Sequence, residues 1–266
     1  MRSERIRPHH VLVAERSPSI SRLIVRAVDA ASIPTLCTIA ESGRDAVRTM
    51  MDGHVDLAFV DANMPGLDWA DAVARSRQGA GRTFFVVTSE HISKAAARTA
   101  RDLMVYEFLA KPFASDRVDT VLDNYRRMRT RTSVLLVDDS STTRSVIRRV
   151  LRSSLFALGI EDASSGEQAV ARYARGRHDV VFIDINMAGI DGLETLDRLL
   201  TIDPDIRIVL VAGDRTKQAR AESATDQPCR VLHKPFFPAD VDRVLHGLFA
   251  MTPPTFGENG HEAVYI

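Results

Sequence analysis

The sequence predicts an α/β protein built from two tandem copies of one domain, each a doubly wound parallel sheet of five strands covered by helices. Three observations lead there. "FVDANMPGLD" (59–68) and "FIDINMAGID" (182–191) share Phe, Asp, Asn, Met, Gly and Asp in register, and set Asp61 and Asp184 123 residues apart. "LAKPF" (109–113) and "LHKPF" (232–236) repeat that 123-residue offset at Lys111 and Lys234. Short apolar runs alternate five times with helical segments in the second copy, which calls for parallel strands joined by helices. The period is too long for a solenoid repeat and suits a whole domain.

In the first copy the strands read "HVLVA" (10–14), "PTLCTIA" (34–40), "DLAFVD" (56–61), "TFFVVT" (83–88) and "VYEFLA" (105–110). Apolar runs with little alternation fit strands buried on both faces. Val118, Val121, Leu122, Tyr125 and Met128 recur at helical spacing and form the closing helix, so the first domain is read as 8–129. The arginine-rich stretch 126–131 at its end is read as a solvated helix terminus favoured by the dipole, with a nucleic-acid patch as the alternative.

The second domain is read as 132–250. Its strands are "SVLLVD" (133–138), "FALGIEDA" (156–163), "DVVFID" (179–184), "RIVLVA" (207–212) and "CRVLHK" (229–234), with helices near 141–154, 166–176, 191–201, 214–224 and 236–249. Ser140 or Ser141 suits the N-cap of the first of these helices. Residues 251–266 carry prolines and glycines without periodicity and are expected to be a flexible tail.

Composition narrows the function classes. Lys plus Arg and Asp plus Glu balance at 35 each, so net charge gives no support to bulk binding of nucleic acid or a membrane surface. Cys37 and Cys229 lack metal-type spacing and fit reduced thiols. The opening "MRSERIRPHH" has no apolar core of a secretory signal, and no run approaches the roughly 20 apolar residues of a membrane helix. The expectation is a soluble cytoplasmic protein.

Ligand crevices in such sheets lie outside the carboxyl ends of the strands. Asp138 and Asp139 follow the first strand of the second copy, Asp184 ends the third and Lys234 ends the fifth. Three carboxylates converging there would repel one another, so the site is expected to hold a hard divalent cation, Mg²⁺. A carboxylate, a cation and a lysine are equipment for phosphoryl transfer to aspartate, with Asp184 the better nucleophile because it stands alone at its strand end. A helix cap explains one acidic residue at 138–139, not two. His54, His178, His233 and the pair His9-His10 have no ligand spacing and are assigned to packing or surface.

"VDDSSTTR", "FIDINMAGIDGLE" and "HKPF", in that order, resemble the receiver domain of two-component response regulators, and the likeness runs through both copies. The resemblance implies tandem flavodoxin-like (βα)₅ receiver (CheY-like) domains, in a response regulator that takes a phosphoryl group from a histidine kinase or phosphotransfer protein onto aspartate, with Mg²⁺. It implies Asp184 as acceptor, Asp138, Asp139, Asp184 and Asn186 as metal ligands, and Lys234 as the phosphoryl-contacting lysine. Carried to the first copy it gives Asp61 as acceptor, Glu15, Asp61 and Asn63 as metal ligands, Lys111 and Thr88 as phosphoryl contacts, and Thr88 with Phe108 as the switch. Thr88 and Phe108 have plain alternatives as a strand and a core residue. Both Lys-Pro bonds are cis candidates on the same grounds.

The copies depart from the pattern in opposite ways. With Glu15 placed opposite Asp139, 124 residues on, Ala14-Glu15 replaces the acidic pair of the second copy. The second copy has Ala212 and Val231 where the first has Thr88 and Phe108. The second domain is therefore expected to accept phosphate readily, and the first to have a weaker metal site and an intact switch. No output domain is read in the sequence and no enzyme in the ordinary sense, so action through receiver surfaces is expected, with homodimerisation open and no nucleic-acid or membrane partner. Alternatives are a phosphorylation-independent scaffold of pseudo-receivers and a phosphohydrolase of the haloacid dehalogenase type, which the adjacency of Asp138 and Asp139 disfavours.

Overall fold

The computed structural model describes residues 7–52, 54–78, 83–176, 178–213 and 230–256. The chain divides into two compact units. One runs to Arg126 and takes in Thr252–Phe256, and the other covers Arg127–Met251.

The first unit alternates β1 (His9–Ala14), α1 (Pro18–Ala30), β2 (Thr35–Ala40), α2 (Gly43–Asp52), β3 (Leu57–Asp61), α3 (Trp69–Gln78), β4 (Phe84–Ser89), α4 (Lys94–Asp102), β5 (Glu107–Ala110) and α5 (Ser115–Arg129). Its parallel sheet has the order β2-β1-β3-β4-β5. Every residue of β3 and β4 is buried, as continuous apolar runs require under helices on both faces. Ser93 caps α4 by accepting the Ala96 N–H at 3.1 Å, and Pro18 opens α1, where a missing N–H costs nothing.

The second unit carries β6 (Thr132–Val137), α6 (Ser141–Arg152), β7 (Leu158–Ala163), α7 (Gly166–Arg175), β8 (Val180–Asp184), α8 (Gly192–Ile202), β9 (Ile208–Ala212), β10 (Arg230–His233) and α9 (Pro238–Leu248). The order β7-β6-β8-β9-β10 reproduces that of the first sheet. Of the two serines considered, Ser140 is the cap of α6, accepting the Thr143 N–H at 3.3 Å. The helix expected near 214–224 and Cys229 lie outside the described residues.

The ladders fix the correspondence between copies. Ala14 pairs with Ala40 and Val60, while Val137 pairs with Ala163 and Ile183. Asp61 pairs with Thr88, while Asp184 pairs with Val211. The offset is therefore 123 at the strand ends as well, and two expectations need correction. Glu15 corresponds to Asp138, not Asp139, which puts Arg16 in the place of Asp139. Thr88 corresponds to Val211, not Ala212, though the hydroxyl is absent either way.

Of the tail expected to be flexible, residues 257–266 lie outside the described residues, and residues 252–256 are packed on the first unit. Thr252–Phe256 is laid along the outer edge of β5, with the Phe108 N–H donating to the Thr255 carbonyl at 3.0 Å. Pro254 is buried there, and the Phe256 ring packs into the first core 6.5 Å from Phe108, with Arg101 over its outer face. An edge strand offers unpaired backbone groups, and an extended proline-rich segment satisfies them without needing a periodic pattern.

The arginine stretch is partly structural. Arg127 donates to Thr132 Oγ1 at 3.0 Å and lies 3.6 Å over the Phe249 ring, so it is not a free cation on an open face. No described helix is long and apolar enough to cross a membrane.

Candidate functional site

Each sheet brings an acidic strand end and a lysine together at its carboxyl edge. In the second unit, Asp138 follows β6, Asp184 ends β8 and Lys234 follows β10. Lys234 Nζ donates to Asp184 Oδ2 at 2.9 Å and to Asp138 Oδ2 at 3.3 Å. The Ser140 N–H donates to Asp138 Oδ1 at 2.9 Å and the Asn186 N–H to Asp184 Oδ1 at 3.3 Å, fixing both carboxylates from the backbone. Gly192 lets α8 start against this strand end, since a Cβ there would stand 2.4 Å from the Asp184 carbonyl oxygen. Gly189, at φ +81°, makes the intervening turn.

The expected convergence of three carboxylates is only partly realised. Asp139 is exposed, and its Oδ2 accepts the Ala188 N–H at 2.9 Å on the loop after β8. Among the described residues no three His, Cys, Asp or Glu side chains form a ready metal cluster. Charge still calls for a cation: Asp138 and Asp184 share one lysine, and Asp139 adds a third carboxylate beside the loop after β8. Burial pushes the Asp138 carboxyl above its ordinary range and the Asp184 charge adds to this, against the Ser140 N–H and Lys234. The donors are hard oxygens, so the set fits Mg²⁺, with Asp138, Asp139, Asp184 and the Asn186 carbonyl available to hold it.

The first unit has the same frame and different chemistry. The Ser17 N–H donates to Glu15 Oε1 at 3.0 Å, as Ser140 does to Asp138. Lys111 Nζ donates to Glu15 at 2.8 Å and stands 3.1 Å from Asp61 Oδ2. Arg16 Nε approaches the same Asp61 oxygen at 3.2 Å, and the Asn63 N–H donates to Asp61 Oδ1 at 2.9 Å. Glu15 also accepts the Thr88 hydroxyl at 2.8 Å, through Oε2. Both Glu15 oxygens are thus engaged, Oε1 by Ser17 and Lys111 and Oε2 by Thr88. Burial works against an ionised Asp61, yet the Asn63 N–H, Lys111 and Glu15 outweigh it and hold the carboxyl below its ordinary value.

Access differs too. The side chains of Glu15, Asp61 and Lys111 are 1%, 0% and 7% exposed, whereas Lys234 is 27% exposed. Phe108 is buried, with Trp69 edge-on at 5.6 Å. Sequence reasoning missed Arg16. The gap-free 123-residue offset of the other motifs was the signal that could have found it. Lys111-Pro112 and Lys234-Pro235 are both cis.

Comparison with known proteins agrees with this geometry. The family described as response regulator receiver domain matches residues 11–123 and again 134–246. The chemotaxis protein CheY of Listeria monocytogenes is 29% identical over 115 residues, 43% of this chain and 93% of that protein. A protein-glutamate methylesterase/protein-glutamine glutaminase of Paramagnetospirillum magneticum is 36% identical over 77 residues, 29% of this chain. The match spans only 20% of that enzyme's own length. The fold is also that of a crystal structure described as a two-component system response regulator/GGDEF domain protein. That likeness has a TM-score of 0.60 and 21% identity, over 91% of this chain and 99% of the other. The chain belongs to the response regulator receiver family and carries two receiver domains in tandem.

Proposed function

We propose that this protein is a phosphorelay response regulator whose second receiver accepts a phosphoryl group on Asp184, from a histidine kinase or a histidine phosphotransfer protein. The observation that carries the reading is the ammonium of Lys234, 2.9 Å from the acceptor carboxylate and shared with Asp138. In the transfer, an Asp184 oxygen forms the new O–P bond. The P–N bond of the donor phosphohistidine breaks, and its electron pair leaves with the imidazole. Lys234 opposes the charge on the transferred group's oxygens, and Asp138 holds Lys234 in place. The backbone N–H of Asn186 orients the nucleophile. Asp138, Asp139, Asp184 and Asn186 would hold Mg²⁺, which would supply further charge neutralisation.

Output through contact of receiver surfaces with another protein is the accompanying reading, resting on the two receiver domains at 11–123 and 134–246. The test is incubation of the full chain with acetyl phosphate and Mg²⁺. An acid-stable, hydroxylamine-labile label should appear and be lost in Asp184→Asn. A label undiminished in that variant would overturn the assignment.

A further inference from the structure

Arg16 gives the first receiver a second cation at its acceptor carboxylate, beside Lys111, where the second receiver sets Lys234 against Asp184. Glu15 and Asp61 face Lys111 and Arg16, the latter also reaching Glu90 at 3.2 Å, while Asp138 and Asp184 share Lys234 and Asp139 lies on the loop side against the Ala188 N–H. A divalent cation entering the first site would meet a guanidinium already 3.2 Å from the acceptor carboxylate. A phosphoryl group would meet a carboxylate already 2.8 Å from both the Lys111 ammonium and the Thr88 hydroxyl. Both arrivals place like charges together, the first beside the partly exposed Arg16 and the second beside buried Glu15, where such contacts are least screened.

The chemistry of the replacements explains the fit. Glu15 stands at the Asp138 position with one more methylene. Asp138 reaches the lysine from there, and the longer Glu15 reaches the lysine and the β4 hydroxyl together. The second unit has no hydroxyl at that register, because Val211 replaces Thr88. Lengthening the acid is thus matched by a partner that only the first copy supplies.

We propose that the first receiver is self-engaged: Glu15 takes the part of the phosphoryl group toward Thr88 and Lys111, Arg16 takes the part of the metal toward Asp61, and the Thr88–Phe108 switch is held without phosphorylation. This rests on the receiver reading above and assigns signal entry to the second receiver alone.

The test uses the full chain, Mg²⁺ and beryllofluoride as probe, with two readouts. Trp69 is the single tryptophan and packs against Phe108, so its fluorescence reports the first receiver. Backbone amide signals of Asp184 and Lys234 report the second. The expected result is unchanged Trp69 emission with shifted Asp184 and Lys234 amides. Glu15→Ala should change Trp69 emission and speed amide exchange at Thr88 and Phe108 with no probe added, and Glu15→Gln, which retains volume, covers the case in which the alanine variant does not fold. The double substitution Glu15→Asp with Arg16→Asp recreates the acidic pair and should make Trp69 respond to the probe. A Trp69 response in the unaltered chain at the probe concentration that shifts Asp184, or no change at Thr88 and Phe108 in a folded Glu15 variant, overturns the proposal. If neither receiver responds to the probe while the Glu15 variants behave as expected, the self-engaged first receiver stands and the phosphoacceptor reading of Asp184 fails.

Discussion

The backbone N–H of Phe108 donates to the carbonyl of Thr255 at 3.0 Å, so the sheet edge beside the switch aromatic is paired with residues from beyond the second receiver. Phe256→Ala would remove a half-buried ring from the first core. The expected cost is roughly 2 kcal/mol, below the range for a fully buried phenylalanine, with faster amide exchange at Phe108. Denaturant unfolding and amide exchange check it, and an unchanged Phe108 rate would show that the pairing is not maintained in solution.

The same contact carries a titratable group. Glu107 accepts from Thr255 Oγ1 at 3.0 Å and pairs with Arg117. Burial pushes its carboxyl up to about 7 from an ordinary 4.5, with Arg117 and Thr255 pulling it back. An acid raised on folding binds more protons folded than unfolded. Its contribution is therefore full below the unfolded value and is lost as pH rises through about 7, a loss on the order of 3 kcal/mol. Glu107→Gln should flatten this dependence and raise stability relative to the unaltered chain at alkaline pH. Urea midpoints at about pH 5 and about pH 8 measure it, and equal slopes in the two proteins would contradict the assignment.

The two lysines should answer differently to the same change. Lys111→Met strands Glu15 and Asp61, both buried, and should destabilise the first unit by about 3 kcal/mol or more. Lys234→Met leaves a more open site and should cost less stability while lowering the phosphorylation rate by about 100-fold or more. Thermal unfolding and acetyl-phosphate labelling separate the two outcomes. Equal stability losses would remove the distinction drawn between the sites.

Restoring one device tests the other direction. Arg16→Asp alone withdraws the guanidinium from Asp61 and adds an acid where the second receiver has Asp139. Mg²⁺ affinity of the first unit should rise at least about tenfold, read as Mg²⁺-dependent Trp69 fluorescence. Trp69 emission that ignores Mg²⁺ in this variant would contradict the role given to Arg16.

Much of this was legible in the sequence. Continuous apolar runs located the strands because covered parallel sheets demand them, and Asp184 with Lys234 was readable because strand order sends both to one edge. Asp139 is placed with the cluster by adjacency in sequence, and what adjacency does not show is that one of its carboxylate oxygens takes the Ala188 N–H of the loop after β8. Arg16 was missed because matching acid to acid placed Glu15 opposite the wrong aspartate, a one-residue slip that the 123-residue offset of the other motifs argues against and the ladder register exposes. The bond from Thr88 to Glu15 spans 73 residues and depends on side-chain reach, which no periodicity encodes. "PPTF" gave no signal because edge pairing is made by backbone groups that every residue shares.

The most direct measurement is the stoichiometry and position of phosphoryl groups on the full chain after saturation with acetyl phosphate and Mg²⁺, read by peptide mass. One group per chain is expected, on the peptide holding Asp184. A group on the peptide holding Asp61, alone or in addition, would contradict it.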